Sequence, residues 1–193
     1  MRILHLEKKG LRGLAIAESF KQNSKNSILA GVVMRRDFVI DGFAFGNSTV
    51  TGDDATEKIL QLYDDLSRPD ISYVLISGLI ISLYNVIDIK KIFQSLKIPI
   101  IGLTYNESEG IENSIKKHFP DSYKTKIKNY EKLEKRKKIT LHTSADVFVR
   151  KEGCTYNEVK HLLNELTLQG SLPEPIRVAQ LLAKSLLQKG LSF

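Results

Sequence analysis

Apolar-rich runs over residues 11–18, 27–36 and 38–51 are separated by short polar stretches, and apolar and polar positions alternate around Asp37. This pattern predicts three consecutive strands, whose short connections should pair them antiparallel. Two later runs, Ile71-Ser-Tyr-Val-Leu-Ile-Ser77 and Ile98-Pro-Ile-Ile-Gly-Leu-Thr104, are almost continuously apolar, as central strands covered on both faces are. Further strands are predicted over 138–142 and 145–150. Helical periodicity predicts helices over 54–67, 86–97, 107–118, 121–136, 155–168 and 174–189. Strands 71–77 and 98–104 each follow a helix and should therefore join the sheet in parallel. The expected fold class is α/β, a mixed sheet with three antiparallel strands first, later strands parallel, and flanking helices. It should form a single domain over residues 1–193.

Composition narrows the class. With 193 residues, 42% of them hydrophobic, the chain can bury a substantial core. The single Cys154 allows no intrachain disulfide and no cysteine pair for zinc, which argues against a bridged secreted scaffold and for a reducing, cytoplasmic setting. The most apolar stretch, Val74 to Val86, is broken by Ser77, Gly78, Ser82 and Asn85 and is too short to span a bilayer, so no membrane partner is expected. The net charge of +7 is unevenly placed: residues 116–138 hold ten Lys or Arg against three acids, and the rest of the chain balances at 19 of each. Lys116, Lys117, Lys124, Lys126, Lys128 and Lys132 alternate there with Phe119, Tyr123, Ile127 and Tyr130. Such a segment is either a solvated helix face or a phosphate-contacting surface whose tyrosines stack on unpaired bases, and the concentration of charge favours DNA or RNA.

Candidate chemistry gathers in residues 35–59, where aspartates and glycines crowd a strand-turn-strand-helix unit. Asp54-Ala-Thr-Glu57 has the spacing of a capping box, so Asp54 reads as a helix cap whether or not it does anything else. Asp37 and Asp41 flank a hairpin turn, where aspartate is common for conformational reasons; Asp41 could equally face a cleft. Glu18 ends an apolar strand, where solubility gives no reason for an acid; it is either functional or an exposed residue just past the strand. Ligands in open α/β sheets lie beyond the carboxyl ends of the strands, which brings Ser77, Gly78 and Thr104-Tyr-Asn106 into the candidate cleft. Arg177, behind Pro173-Glu-Pro175, opens a helix and either holds a phosphate or pairs with Glu174. His5, His118, His142 and His161 show no metal spacing.

Several short motifs, in order, carry a family resemblance: Lys8-Lys9-Gly-Leu-Arg12 before Leu14-Ala-Ile-Ala-Glu18-Ser-Phe20, then Ala30-Gly-Val-Val-Met-Arg-Arg-Asp37, Ile40-Asp-Gly42, Gly52-x-Asp54-Ala-Thr56, Gly78 through Asn85-Val, and Gly170-Ser-Leu-Pro-Glu-Pro-Ile-Arg-Val-Ala-Gln180. Over nearly its whole length the chain resembles the archaeal endonuclease dU family, a domain of unknown function related to endonuclease V. The resemblance implies a ribonuclease H-like fold and metal-dependent hydrolysis of DNA at deoxyuridine or other deaminated bases. It implies Glu18, Asp54 and Asp41 as catalytic acids, with Glu18 and Asp54 holding Mg or Mn, since hard oxygen ligands suit those ions. Ser77, Gly78, Asn85 and Gln180 would line the cleft, and Arg177 would join the lysines of 116–138 on nucleic acid. The chain also departs from the family. Relatives often carry two adjacent aspartates at Ala17-Glu18, Asp-Gly at Ser77-Gly78, Gly-Phe-Asn at Leu83-Tyr84-Asn85, and histidine at Gln180. These exchanges remove a hard ligand and a titratable group, and leave open a non-catalytic nucleic-acid-binding domain of the same fold. A third reading is a protein-interaction subunit docking through Leu181-Leu-Ala-Lys-Ser-Leu-Leu187.

Overall fold

The computed structural model describes residues 10–107 and 110–191, together with Leu4, Lys8 and Phe193; His5 and Lys9 lie outside the described residues. The strands are β1 (Arg12–Ser19), β2 (Asn26–Arg35), β3 (Ile40–Thr49), β4 (Ile71–Ser77), β5 (Ile80–Ile81), β6 (Asn85–Val86), β7 (Ile100–Thr104), β8 (Lys137–Thr140) and β9 (Asp146–Glu152). The helices are α1 (Ala55–Asp65), α2 (Ile89–Leu96), α3 (Glu112–His118), α4 (Tyr123–Glu131), α5 (Tyr156–Leu166) and α6 (Glu174–Lys189). Seven strands form one mixed sheet in the order β3-β2-β1-β4-β7-β9-β8. As expected, β1, β2 and β3 pair antiparallel while β4 and β7 add in parallel to β1; β9 then returns antiparallel to β7.

Alternation along the strands makes two cores, one on each face. Ala15, Ala17, Tyr73, Leu75, Ile101 and Leu103 pack against Val159, Leu162 and Leu163 of α5 and Ile176 and Ala179 of α6. Leu14, Ile16, Val74, Ile76 and Ile100 point the other way, onto Ile59 and Leu62 of α1 and Ile89 and Ile92 of α2. This is why β4 and β7 read as unbroken apolar runs.

Several boundaries differ from the periodicity: the helix expected over 107–118 begins at Glu112, and the one expected over 121–136 ends at Glu131. The helix predicted from 86 begins at Ile89, because Asp88 caps it by accepting from Lys91 N at 3.0 Å. Residues 80–86 instead form a small antiparallel hairpin of β5 and β6, too short to leave a period-two signal. Leu79, at its base, sits against Gly102, where a Cβ would lie 2.5 Å from Leu79 Cγ. The bare backbone of β7 thus lets the hairpin lie close over the sheet end. No helix among the described residues is long and apolar enough to cross a membrane.

Candidate functional site

Parallel pairing of Ile16 with Ile76 sets the carboxyl ends of β1 and β4 side by side, so Ala17 and Glu18 lie next to Ser77. Strand alternation then separates them by face. Ala17 belongs to the α6-side core, and Ser77 Oγ on that side accepts from Gln180 Nε2 of α6 at 2.9 Å. Tyr105 lies beside Ser77, and burial pushes its hydroxyl above the usual phenol range. The α6 side of this end is therefore neutral, built from a methyl, a hydroxyl, an amide and a protonated phenol.

Glu18 faces the α1 and α2 side. It shares a narrow crevice with Ile59, Ile81 and Ile87 that has no volume accessible to a water molecule. Its Oε1 accepts from Ser82 Oγ at 2.6 Å. Ser82 Oγ also lies 2.8 Å from Ser27 Oγ and 3.0 Å from Ser48 Oγ, which are themselves 3.0 Å apart. All three serines are buried, so the hydroxyls satisfy one another where water does not reach. Burial raises the Glu18 pKa above its ordinary value, against the opposing hydrogen bonds of Ser82 and Ser27.

Asp54 occupies the N-cap position of α1, but its side chain makes no cap bond. The capping-box expectation is corrected here: the carboxylate turns back to accept from Thr49 N at 3.1 Å, Thr49 Oγ1 at 2.7 Å and Asn85 Nδ2 at 2.7 Å. Asn85 Oδ1 receives the orphan Ala55 N–H at 3.0 Å and thereby caps α1 from another element, while its Nδ2 also reaches Thr49 O at 3.0 Å. Glu57, the expected reciprocal arm, pairs with Lys91. Burial pushes Asp54 upward, but the bonds from Thr49 and Asn85 outweigh it and hold the carboxyl below its usual range. Neither Glu18 nor Asp54 has an ion-pair partner among the described residues.

Other expected site residues sit elsewhere. Asp41 lies at the start of β3, level with the start of β1, and there it pairs with Arg12 and with Arg68, the latter at 3.1 Å. The order and direction of the strands thus put Asp41 at the opposite end from Glu18. Asp37 pairs with Arg35 across its own turn at 2.6 Å, and Arg177 pairs with Glu174 at 3.2 Å. Lys116, Lys117, Lys124, Lys128 and Lys132 are exposed on α3, α4 and the residue after α4, whereas Lys126 is only 3% exposed. Its ammonium donates to Thr51 O at 2.9 Å and Gly52 O at 3.0 Å and lies 4.8 Å from the centre of the Phe119 ring. Lys126 is therefore a bolt between α4 and the loop before Asp54, with no face free for phosphate. The Ser27–Ser48–Ser82 group had only one faint sequence signal, two serines at inward positions of strands and a third in the interruption of an apolar run. Lys126 had a clearer one, since it falls on the stripe of Tyr123, Ile127 and Tyr130.

A divalent metal centre of the kind the resemblance implies needs converging acids. No group of three Asp, Glu, His or Cys side chains able to hold a metal ion exists among the described residues. Positions 17, 77 and 180, where the resemblance expects acids and a histidine, converge as Ala17, Ser77 and Gln180. This donor set does not fit a two-ion centre, because a neutral hydroxyl and an amide are weak ligands for magnesium.

A five-strand core in the order β3-β2-β1-β4-β7, with its polar cluster at the carboxyl ends of β1 and β4, defines a ribonuclease H-like α/β protein with the endonuclease V architecture. Endonuclease V of Ciona intestinalis, solved with a 24mer DNA containing an inosine followed by a ribo-adenosine, superposes with a TM-score of 0.61 at 13% identity, over 94% of this chain and 87% of that one. A protein of unknown function from Archaeoglobus fulgidus superposes with a TM-score of 0.76 at 22% identity, over 91% of this chain and 98% of that one. A UPF0215 protein of Pyrobaculum calidifontis is 33% identical over 171 residues, 88% of this chain and 93% of the relative. The chain belongs to the endonuclease dU family, whose model matches residues 9–187.

Proposed function

We propose that this chain binds DNA at deoxyuridine or other deaminated bases, as a member of an endonuclease family whose sheet end no longer carries the acids for efficient strand hydrolysis. The observation that carries the reading is the meeting of Ala17, Ser77 and Gln180 at the carboxyl ends of β1 and β4. The family membership and the fold supply the nucleic-acid class. The exposed lysines of α3 and α4 supply the attraction: each phosphate neutralised releases a counterion, so affinity should fall steeply with salt. Lys126 serves that surface indirectly by fastening α4 to the loop ahead of Asp54.

A test is equilibrium binding of a deoxyuridine duplex and its matched undamaged duplex over a range of salt. The parent should prefer deoxyuridine. Changing Lys116, Lys117, Lys124, Lys128 and Lys132 together to alanine should flatten the plot of log affinity against log salt by about 0.9 for each phosphate that is no longer neutralised. An unchanged slope would reduce the lysines to a solvated face. A second reading, metal-dependent cleavage resting on Glu18 and Asp54 with Mg or Mn, is favoured by one observation, that neither carboxylate has a cationic partner among the described residues. Cleavage by the parent that disappears in Glu18→Gln and Asp54→Asn would establish it.

A further inference from the structure

The sheet continues from the Glu18 strand across β4 and β7 to β9, where Val147 and Val149 join the core on the α5 and α6 side. Successive side chains of a strand take opposite faces, so Phe148 and Arg150 point the other way. There they line a cavity of about 440 Å³ that Tyr130, Leu133, Lys135 and Arg136 help to enclose, from the end of α4 and the segment leading into β8. Its volume is that of an ordinary small-molecule site.

Arg150 is 8% exposed. Its Nε donates to Glu134 O, and its guanidinium lies 5.9 Å from the centre of the Tyr130 ring. Among the described residues no carboxylate pairs with it, although Arg12, Arg35, Arg36, Arg68 and Arg177 all have such a partner. Burial holds its pKa below the usual guanidinium value. Arginine does not discharge itself in proteins, so a buried guanidinium without a counter-charge is costly, and an anion entering the cavity offsets that cost. Arg136 lines the same cavity. It stacks 5.3 Å from the centre of the Phe148 ring and donates to Thr104 Oγ1 at 3.2 Å and Asn106 O at 3.1 Å. Stacking uses the face of a guanidinium and leaves its N–H edge for oxygen, an arrangement that suits phosphate.

The cavity is also lined by Glu107, Glu112 and Glu131, and of these Glu107 and Glu131 are exposed. Carboxylates at that position repel the continuous phosphates of a duplex, while they can accept from the hydroxyl or amino groups of a compact ligand. We infer that this cavity binds a small phosphate monoester the size of a nucleoside monophosphate, with Arg150 and Arg136 on the phosphate and the exposed glutamates on the hydroxylated body. Such a site is separate from the lysines of α3 and α4 and stands whether or not the chain binds DNA.

The test is calorimetric titration of the full chain with adenosine and uridine monophosphates, the two nucleosides, and inorganic phosphate. The parent should bind a monophosphate saturably, inorganic phosphate at least tenfold more weakly, and the nucleosides without measurable heat. Arg150→Met should weaken the monophosphate about ten- to a hundredfold, the range of a lost charged hydrogen bond, and its Tm should no longer rise with that ligand as the parent's does. Arg136→Lys, at a half-buried position, keeps the charge without the planar fork and should weaken it about tenfold; it carries the test if the methionine variant does not fold. The site is overturned if neither monophosphate binds the parent, if a nucleoside or inorganic phosphate binds as tightly as the monophosphate, or if the folded arginine variants bind like the parent.

Discussion

Replacing Lys126 with methionine removes the ammonium, and with it the cation–π contact on Phe119, while keeping most of the apolar stem. Two short charge-assisted bonds disappear, to Thr51 O at 2.9 Å and Gly52 O at 3.0 Å, with a longer one to Asp53 at 3.3 Å. Hydrogen bonds to charged groups contribute about 1.5–3 kcal/mol each, and the variant recovers part of this because it no longer desolvates a charge. A net destabilisation of about 2–4 kcal/mol follows. For a chain of this size that corresponds to a fall in Tm of roughly 4–16 °C. Thermal unfolding measures the total, and hydrogen exchange at residues 51–54 and at Tyr84 locates it. Lys124→Met, on an exposed position of the same helix, is the control and should stay within about 0.5 kcal/mol of the parent. If Lys126→Met melts with Lys124→Met, or if it changes the salt slope of DNA binding as much as the exposed lysines do, the bolt is wrong and Lys126 touches phosphate after all.

Three further outcomes follow from the same geometry. Asn85→Ala should cost about 2–4 kcal/mol in urea unfolding, since it leaves Ala55 N, Thr49 O and one Asp54 oxygen without their partner. The folded Glu18 carboxyl holds its proton more tightly than the unfolded one, whose ordinary value is 4.5. Its contribution is therefore fully present below pH 4.5 and is lost as the pH rises from there through the folded value; Glu18→Gln should abolish that decline in a series of melts against pH. Asp41→Asn should leave any preference for deoxyuridine DNA unchanged, because Asp41 lies at the far end of the sheet with Arg12 and Arg68; a lost preference would return it to the site.

Most strands and helices were legible because their periodicity is enforced by two continuous cores: Ala15 and Ala17 on one side and Leu14 and Ile16 on the other leave no freedom of register. The β5–β6 hairpin was not, since two-residue strands carry no period and their placement depends on a long-range fit of Leu79 against Gly102. Asp54 illustrates a second limit. Its spacing to Glu57 is that of a capping box, yet Asn85, 30 residues beyond Ala55 along the chain, supplies the cap and frees the aspartate to bond Thr49. Aspartates in turns carry the same local signature wherever the sheet puts them, so only topology separated Asp41 from the Glu18 end. Five of the six lysines named in the basic segment are exposed, and Lys126 was missed because charge was counted without regard to helical phase.

On the proposed reading, the neutral set of Ala17, Ser77 and Gln180 leaves this chain a binder and not an efficient nuclease. The most direct measurement compares cleavage of a deoxyuridine duplex, in magnesium and in manganese, by the parent and by a protein carrying Ala17→Asp, Ser77→Asp and Gln180→His. The parent should bind the duplex without cutting it, while the triple variant, once shown to be folded, should cut with metal present, since two hard ligands and a titratable group are placed at one sheet end. A parent that cuts as fast as the variant, with the activity lost in Glu18→Gln or Asp54→Asn, would contradict it.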